Sequence, residues 1–342
     1  MKLFSWGRKY NLMNTGLDGS SIGEFVKDKV REIFKVQEVD SYDENNFISC
    51  KNLVKIYKID DLEVFALQGL ELKIKQGEMV GIIGSSGSGK STLLNILGGL
   101  DSPTGGQVHV GGWNINQMSY RDKIEYKRNI VGFVWQNIGR NLVPYLTALE
   151  NVRLPMILGG NSKEKEWAKE LLTAVGLKER IHHRPREMSG GQQQRVAIAI
   201  ALANKPEVLL ADEPTGSLDS STGTEIFKVL KDVSRRFGVT VIIVTHDRSL
   251  SSLVDRAVEI RDGKISTESV RQTDVSDKDI QIGVTHEEAD EEATHDKYTI
   301  VDSAGRLQLP EDYRQKLGLE ERAQLEIKDG KVIVKAPEDK NE

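Results

Sequence analysis

Cysteine is almost missing from this 342-residue chain, in which Cys50 stands alone. A single thiol excludes an internal disulfide and fits a reducing compartment such as the cytosol. Cys50 itself reads as a small buried or half-buried side chain. Long apolar runs are missing too. No stretch approaches the roughly 20 apolar residues needed to span a bilayer. The start, Met1-Lys2-Leu3-Phe4-Ser5-Trp6-Gly7-Arg8-Lys9, lacks the continuous apolar core of a signal peptide. Positive charge is in deficit, with 47 Lys and Arg against 52 Asp and Glu and a formal net charge of −5. That balance argues against a general nucleic-acid-binding surface and leaves room only for a local basic patch. The length suffices for one large α/β domain and a smaller one.

What the chain has is a pair of motifs. Gly84-Ser85-Ser86-Gly87-Ser88-Gly89-Lys90-Ser91 fits the pattern G-x-x-x-x-G-K-[ST]. Val80-Gly81-Ile82-Ile83 before it reads as a short buried strand, and Thr92-Leu93-Leu94-Asn95-Ile96-Leu97 after it begins a helix. The glycines let backbone N–H groups turn toward phosphate oxygens. The helix N-terminus adds partial positive charge. Lys90 can reach the β- and γ-phosphates, and Ser91 can offer its hydroxyl to Mg²⁺.

The second motif is Met188-Ser189-Gly190-Gly191-Gln192, followed by an apolar run that ends in Asp212-Glu213. Val208-Leu209-Leu210-Ala211 reads as a buried strand that delivers both carboxylates at its C-terminal end, where ligands bind in open α/β sheets. Asp212 is placed to hold Mg²⁺, directly or through water. Glu213 is placed to orient and polarise an attacking water. Val241-Ile242-Ile243-Val244-Thr245-His246 repeats the strand pattern and puts His246 at its end. A lone histidine is usually structural. Three strands that end in phosphate-contacting groups favour His246 as a γ-phosphate sensor.

Residues from about 47 to 265 resemble the nucleotide-binding subunit of an ABC transporter. The resemblance is carried by Gly84 to Thr92, Gln136, Ser189-Gly190-Gly191-Gln192, Asp212-Glu213, Ser217-Leu218-Asp219 and His246, in that order. It implies an ATPase with ATP and Mg²⁺ as ligands. It implies that Tyr57 stacks on adenine, a strand-edge aromatic being the competing reading. It implies that Gln136 binds Mg²⁺ and the attacking water, and that the Gln136 segment relays nucleotide state to a membrane partner. Gly84, Ser85, Ser86, Gly87, Ser88, Gly89, Lys90, Ser91 and Thr92 then cradle the nucleotide. Ser189, Gly190, Gly191 and Gln192 open a helix whose N-terminus forms an anion site. In the family that site meets the γ-phosphate held by the opposite subunit, and the resemblance counts Asp219 among the nucleotide-binding residues. One phosphate loop and one signature per chain imply a homodimer closed around ATP. The permease is then a separate integral-membrane chain, with this subunit at the cytoplasmic face of the membrane.

Asn95-Ile96-Leu97-Gly98-Gly99-Leu100-Asp101-Ser102-Pro103-Thr104 and Leu146-Thr147-Ala148-Leu149-Glu150-Asn151-Val152 look like the macrolide-exporter and lipoprotein-release class, which often works mechanically on extracytoplasmic proteins or lipids. Three departures stand out. Met188 replaces the usual leucine, Ile200 stands where arginine is usual, and the stretch after Gln136 is about two residues longer.

The chain divides into four parts: a 1–46 extension, a 47–266 ATPase domain, a 267–295 acidic linker and a 296–337 tail. In the extension, Ser21-Ile22-Gly23-Glu24 is a capping box, and Ile22, Phe25, Val26, Val30, Ile33 and Phe34 recur at helical spacing among basic residues. A helix packed on protein is the favoured reading and peripheral membrane contact the other. In the tail, Tyr298-Thr299-Ile300-Val301 and Leu307-Gln308-Leu309 read as strands, and Pro310 starts a helix through Leu317. Leu325-Glu326-Ile327 and Lys331-Val332-Ile333-Val334 form a hairpin closed by Asp329-Gly330.

The tail resembles the swapped-hairpin domain of AbrB-type regulators, through Val301-Asp302-Ser303-Ala304-Gly305-Arg306-Leu307-Gln308-Leu309-Pro310, Arg314 and Leu317-Gly318-Leu319. The resemblance implies a dimerisation module. Its near-balanced charge makes DNA a poor partner. The expected fold is an α/β P-loop ATPase with a mostly parallel sheet, an antiparallel β portion and a helical subdomain over about 140–195, plus a small β-rich tail. The leading function is the ATP-hydrolysing subunit of an ABC transporter. The alternative is a soluble ATP-dependent regulator whose tail binds DNA or a protein.

Overall fold

The computed structural model describes residues 46–59, 62–160, 164–216, 218–271, 295–301, 305–319, 323–328 and 331–336. The expected N-terminal helix and most of the acidic linker lie outside these residues. In chain order the strands are β1 (Ile48–Ile59), β2 (Leu62–Ile74), β3 (Met79–Ile83), β4 (Gly105–Val110), β5 (Trp113–Asn114), β6 (Val131–Val134), β7 (Val208–Asp212), β8 (Thr240–Thr245), β9 (Arg256–Arg261), β10 (Lys264–Arg271), β11 (His295–Thr299), β12 (Gln324–Lys328) and β13 (Lys331–Lys335). The helices are α1 (Lys90–Leu97), α2 (Tyr120–Asn129), α3 (Ala148–Leu158), α4 (Glu164–Ala174), α5 (Gly190–Ala201), α6 (Ser220–Phe237) and α7 (Glu311–Lys316).

The central sheet has the order β11-β10-β9-β3-β8-β7-β6. Its strands from β9 to β6 run parallel, and β10 and β11 are antiparallel additions at one edge. The parallel strands are apolar without alternation because both their faces are covered. On β8, Val241 and Ile243 pack with α3 to α6, while Ile242 and Val244 pack with α1 and the second sheet. That second sheet is antiparallel, in the order β2-β1-β4-β5. The expected P-loop α/β fold with an antiparallel portion and a helical subdomain is the fold observed.

Local chemistry fixes the long segment after Gln136. Asn141 closes it against Trp135, donating to the Trp135 carbonyl at 3.0 Å and accepting from its N–H at 3.1 Å. Farther on, buried Asn151 accepts from Val143 N–H at 2.7 Å and donates to the carbonyls of Val143, Leu146 and Thr147. Thr147 and Glu150 form a capping box at the start of α3.

The tail departs from expectation. β10 continues to Arg271, past the expected boundary at 266, so the linker assignment at 267–271 is corrected to strand. The strand expected over 298–301 is instead His295–Thr299, and it joins the ATPase sheet: Thr267 pairs with Thr299 and Arg271 with His295. An exposed sheet edge presents unpaired backbone groups, and β11 satisfies those of β10. The expected strand over 307–309 is reduced to one bridge between Val301 and Leu307. The short helix and the final hairpin form where expected.

The parallel and antiparallel parts of the central sheet are clamped by Arg256. Its guanidinium, mostly shielded from solvent, donates to Glu78 before β3, to Glu268 on β10 and to the Lys73 carbonyl at the end of β2. Removing the cation strands two partly buried carboxylates. Arg256→Met is therefore expected to destabilise the protein by about 3 kcal/mol, read as a lower denaturant midpoint with an unchanged slope. A change within 0.5 kcal/mol, roughly the scale of a surface substitution, would contradict the clamp.

Candidate nucleotide site

β3 ends at Ile83, the loop turns through Gly84 to Gly89, and α1 begins at Lys90. Two glycines are required by close approach. A Cβ on Gly84 would lie 2.4 Å from the Ile260 carbonyl oxygen. One on Gly89, at φ +105°, would lie 2.4 Å from the Ala66 carbonyl oxygen. Gly89 also precedes α1 without a side-chain cap, so the first N–H groups of the helix are left for another acceptor. Lys90 is buried and its Nζ donates to the carbonyls of Gly84 and Ser85, 2.9 Å each. Ser85, Ser86 and Gly87 are exposed on the loop. The Ser88 hydroxyl is buried without a hydrogen-bond partner. A loop with bare N–H groups, a held ammonium and an unpartnered hydroxyl suits a polyanionic ligand.

The acidic pair meets this loop at the C-terminal edge of the sheet. Ser91 Oγ lies 3.4 Å from Asp212 Oδ1. Burial pushes the Asp212 carboxyl above its ordinary range, the Ser91 hydrogen bond opposes that, and the neighbouring Glu213 charge adds to it. Glu213 adopts a left-handed backbone at φ +46°, which is uncommon for a non-glycine residue. Its N–H donates to the Val244 carbonyl at 2.8 Å, which holds the turn against β8. Its carboxylate accepts from Thr245 Oγ1 at 3.3 Å and lies 2.9 Å from His246 Nδ1. A Cβ built on Gly216 would sit 3.5 Å from Gln136 Nε2 and 3.6 Å from Glu213 Cβ, so Gln136 and Glu213 flank the same glycine. A water held among Glu213, Gln136 and His246 would be polarised by a carboxylate and oriented by an amide and a ring nitrogen.

Ser189 caps α5. Its Oγ accepts from Gln192 N–H at 3.3 Å, and Gln192 Oε1 accepts from Ser189 N–H at 3.0 Å. Gly190 and Gly191 are pressed against α6 and the turn before it, where a Cβ on Gly191 would meet Thr222 Cγ2 at 2.5 Å. Ser189, Gly191 and Gln192 border a concavity of about 380 Å³ together with Lys178, Arg180 and Arg195. No residue of the phosphate loop lines it. That concavity thus holds the Ser189 motif without the phosphate loop. Asp219 is committed to capping α6: it accepts from Thr222 N–H at 3.0 Å, Thr222 Oγ1 at 2.7 Å and Ser221 Oγ at 2.6 Å. These bonds hold its carboxyl far below the usual range. Tyr57 stands half-buried on β1, with its hydroxyl on Asp101.

Sequence reading missed Thr245, whose contact with Glu213 needs the strand turn to be seen. It also missed Lys178, Arg180 and Arg195, whose charges are gathered only by the fold.

A phosphate loop at the end of a central parallel strand, with an acidic pair on the next strand but one, defines a P-loop nucleotide-binding ATPase. Residues 67–216 match the ABC transporter family. The chain is 47% identical over 220 residues to the ABC transporter ATP-binding protein MJ1508 of Methanocaldococcus jannaschii, covering 64% of this chain and 97% of that protein. The dimeric structure of the ABC transporter cassette MJ0796 superposes with a TM-score of 0.59 at 44% identity, over 65% of this chain and 98% of that one. MJ0796 is also solved as a dimer in a post-hydrolysis state bound to ADP and Pi. CbiO1 from Clostridium perfringens, part of the ABC transporter complex cbiONQ, superposes with a TM-score of 0.60 at 28% identity, over 66% and 88% of the two chains. The chain belongs to the ABC transporter ATP-binding proteins. These likenesses give the soluble-regulator alternative no support.

Gly87 and Gly89 separate backbone strain from steric clash. Both have positive φ, but a Cβ on Gly87 meets nothing within 4 Å. Gly87→Ala is expected to cost about 1 kcal/mol. Gly89→Ala is expected to cost at least about twice that, because the Ala66 carbonyl must also move. Paired denaturation curves check this; equal losses would contradict the clash.

Proposed function

We propose that this protein is the ATP-hydrolysing subunit of an ABC transporter, acting as two copies that close around ATP and drive a separate membrane permease. The observation that carries this reading is that the concavity at the Ser189 helix start is lined by no residue of the phosphate loop of the same chain. Each is half of a site, and a second copy supplies the other half. The dimers described for MJ0796 support the same arrangement.

In this reading Gly84 to Thr92 hold the phosphates through backbone N–H groups and Lys90. Tyr57 stacks on the adenine. The opposite copy presents Ser189, Gly190, Gly191 and Gln192 to the γ-phosphate, and Asp219 organises the turn beside them. Glu213 takes the role of polarising the attacking water, with His246 and Gln136 fixing its position. Ser91, Asp212 and Gln136 offer hard oxygen donors of the kind Mg²⁺ prefers, and the closeness of Ser91 and Asp212 fits that ion. When bound, Mg²⁺ neutralises charge on the phosphate oxygens.

No helix among the described residues is long and apolar enough to cross a membrane. On family resemblance the spanning part is assigned to a partner chain, with this subunit at the cytoplasmic face. The sequence motifs around Asn95 and Leu146 favour the macrolide-exporter and lipoprotein-release class.

The ATPase domain extends through β10 and includes β11. The tail proper then begins after Val301. Its β12–β13 hairpin pairs Leu325 with Val334 and Ile327 with Val332, which puts four apolar residues on one face. Leu325, Ile327 and Val332 are all exposed. An isolated two-stranded hairpin is marginal in water, so this face needs cover, and a second tail of AbrB-like type is the proposed cover.

Two measurements test the proposal. Glu213→Gln should keep ATP binding, accumulate dimer with ATP and Mg²⁺ on size exclusion, and lose hydrolysis by roughly a hundredfold or more. Turnover within tenfold of the parent would remove Glu213 from that role. Truncation after Val301 keeps β11 in place and should make the dimer depend on ATP. A truncated chain that stays dimeric without nucleotide would refute tail dimerisation.

A further inference from the structure

Tyr57 is fixed by a network that reaches the phosphate-binding helix. Its hydroxyl donates to Asp101 Oδ2 at 2.8 Å. The other carboxylate oxygen, Asp101 Oδ1, accepts from Lys55 Nζ at 2.6 Å. The same ammonium donates to the Ser102 carbonyl at 2.9 Å and stands over the Tyr57 ring, 4.7 Å from its centroid. Lys55 is nearly buried, so these contacts are sheltered from competing water.

Asp101 lies in the turn that follows α1. The Asp101 N–H donates to Asn95 O, inside that helix, at 3.2 Å. Three residues on, Thr104 stitches the same turn to β1: its N–H donates to the Val54 carbonyl at 2.9 Å, and its Oγ1 accepts from Ile56 N–H at 3.1 Å. The carboxylate therefore links the strand that carries the aromatic ring to the helix that begins at Lys90.

We infer that Asp101, with Lys55, is a positioning residue for nucleobase recognition: it locks the Tyr57 ring in its stacking orientation and ties that ring to the phosphate-binding helix. The inference rests on the proposed stacking of adenine on Tyr57. A free half-buried tyrosine would lose torsional freedom on binding a base, and a ring already held does not. Lys55 occupies one ring face, so the purine is assigned to the opposite one. The cation also polarises the ring it covers. Base and phosphates thus meet groups mounted on one braced unit, so Asp101 acts on ATP affinity through the base alone.

The test compares ATP with inorganic tripolyphosphate, which has the phosphates and no base, by calorimetric titration of the full chain. Asp101→Ala should weaken ATP about tenfold and leave tripolyphosphate within about twofold. Asp101→Asn keeps the shape, loses the charge, and should weaken ATP by roughly threefold, which guards against a folding defect in the alanine variant. Adding Asp101→Ala to Tyr57→Ala should cost nothing further, because both remove one interaction. If Tyr57→Ala binds ATP like the parent, the stacking reading and this inference fall together. If Tyr57→Ala weakens ATP and the Asp101 variants do not, the inference alone is overturned. Parallel loss of both ligands would overturn it too, by showing that Asp101 supports the loop and not the base.

Discussion

The structure depends on one close approach of backbone to backbone. Gly84 faces the Ile260 carbonyl on β9, Gly89 faces the Ala66 carbonyl on β2, and a Cβ on Gly263 would meet that same Ala66 carbonyl at 2.7 Å. No side chain fits at any of these points. Hydrogen bonds close the gap, from Gln68 N–H to the Gly263 carbonyl at 2.9 Å and from Gly263 N–H to the Ser88 carbonyl at 3.1 Å. The phosphate loop is thus the joint between the antiparallel sheet and the central sheet. Its rigidity is inherited from two layers of packed core, and a ligand on it finds donors that need no rearrangement.

From that joint the remaining chemistry follows as geometry. β7 lies beside β8, and β8 beside β3, all parallel, so their C-terminal ends fall on one edge. Ser91, Asp212, Glu213 and His246 come from separate stretches of sequence and converge there. The left-handed backbone at Glu213 is the strained point of the arrangement. Strain of this kind persists only where the surroundings over-determine it. Here the Val244 carbonyl fixes the backbone, while Thr245 and His246 fix the carboxylate.

Much of this was legible in the sequence, for a physical reason. Strands buried on both faces must be continuously apolar, so 79–83, 208–212 and 240–245 announce themselves, and the polar residues at their ends become conspicuous. Helix caps are ambiguous in the same letters. Ser189 and Asp219 read as ligand contacts, yet both side chains are engaged as caps within the chain, and neither use excludes an exposed N–H beside it. Contacts across the sheet edge are harder still. Asp296, Lys297 and Tyr298 show no apolar alternation because all three are exposed, and His295 is the buried residue of β11. Backbone pairing carries no side-chain signature, so the sequence marks a strand near 298 without showing that it pairs with β10.

The placement of β11 changes how the tail can act. With 267–295 as a free acidic tether, a tail dimer would hold two ATPases at the low effective concentration of a long, self-repelling linker. With β11 docked on β10, the chain from the ATPase sheet to the Val301–Leu307 bridge is only a few residues long. Gly305, at φ +75°, lies between the two residues of that bridge. A tail dimer of the proposed kind, on the apolar face of β12 and β13, would then act through a tether shortened by the residues in β10 and β11, which raises the effective concentration of one ATPase near the other. In that proposed arrangement ATP would bind to copies already paired through their tails, and opening after hydrolysis would not require full dissociation.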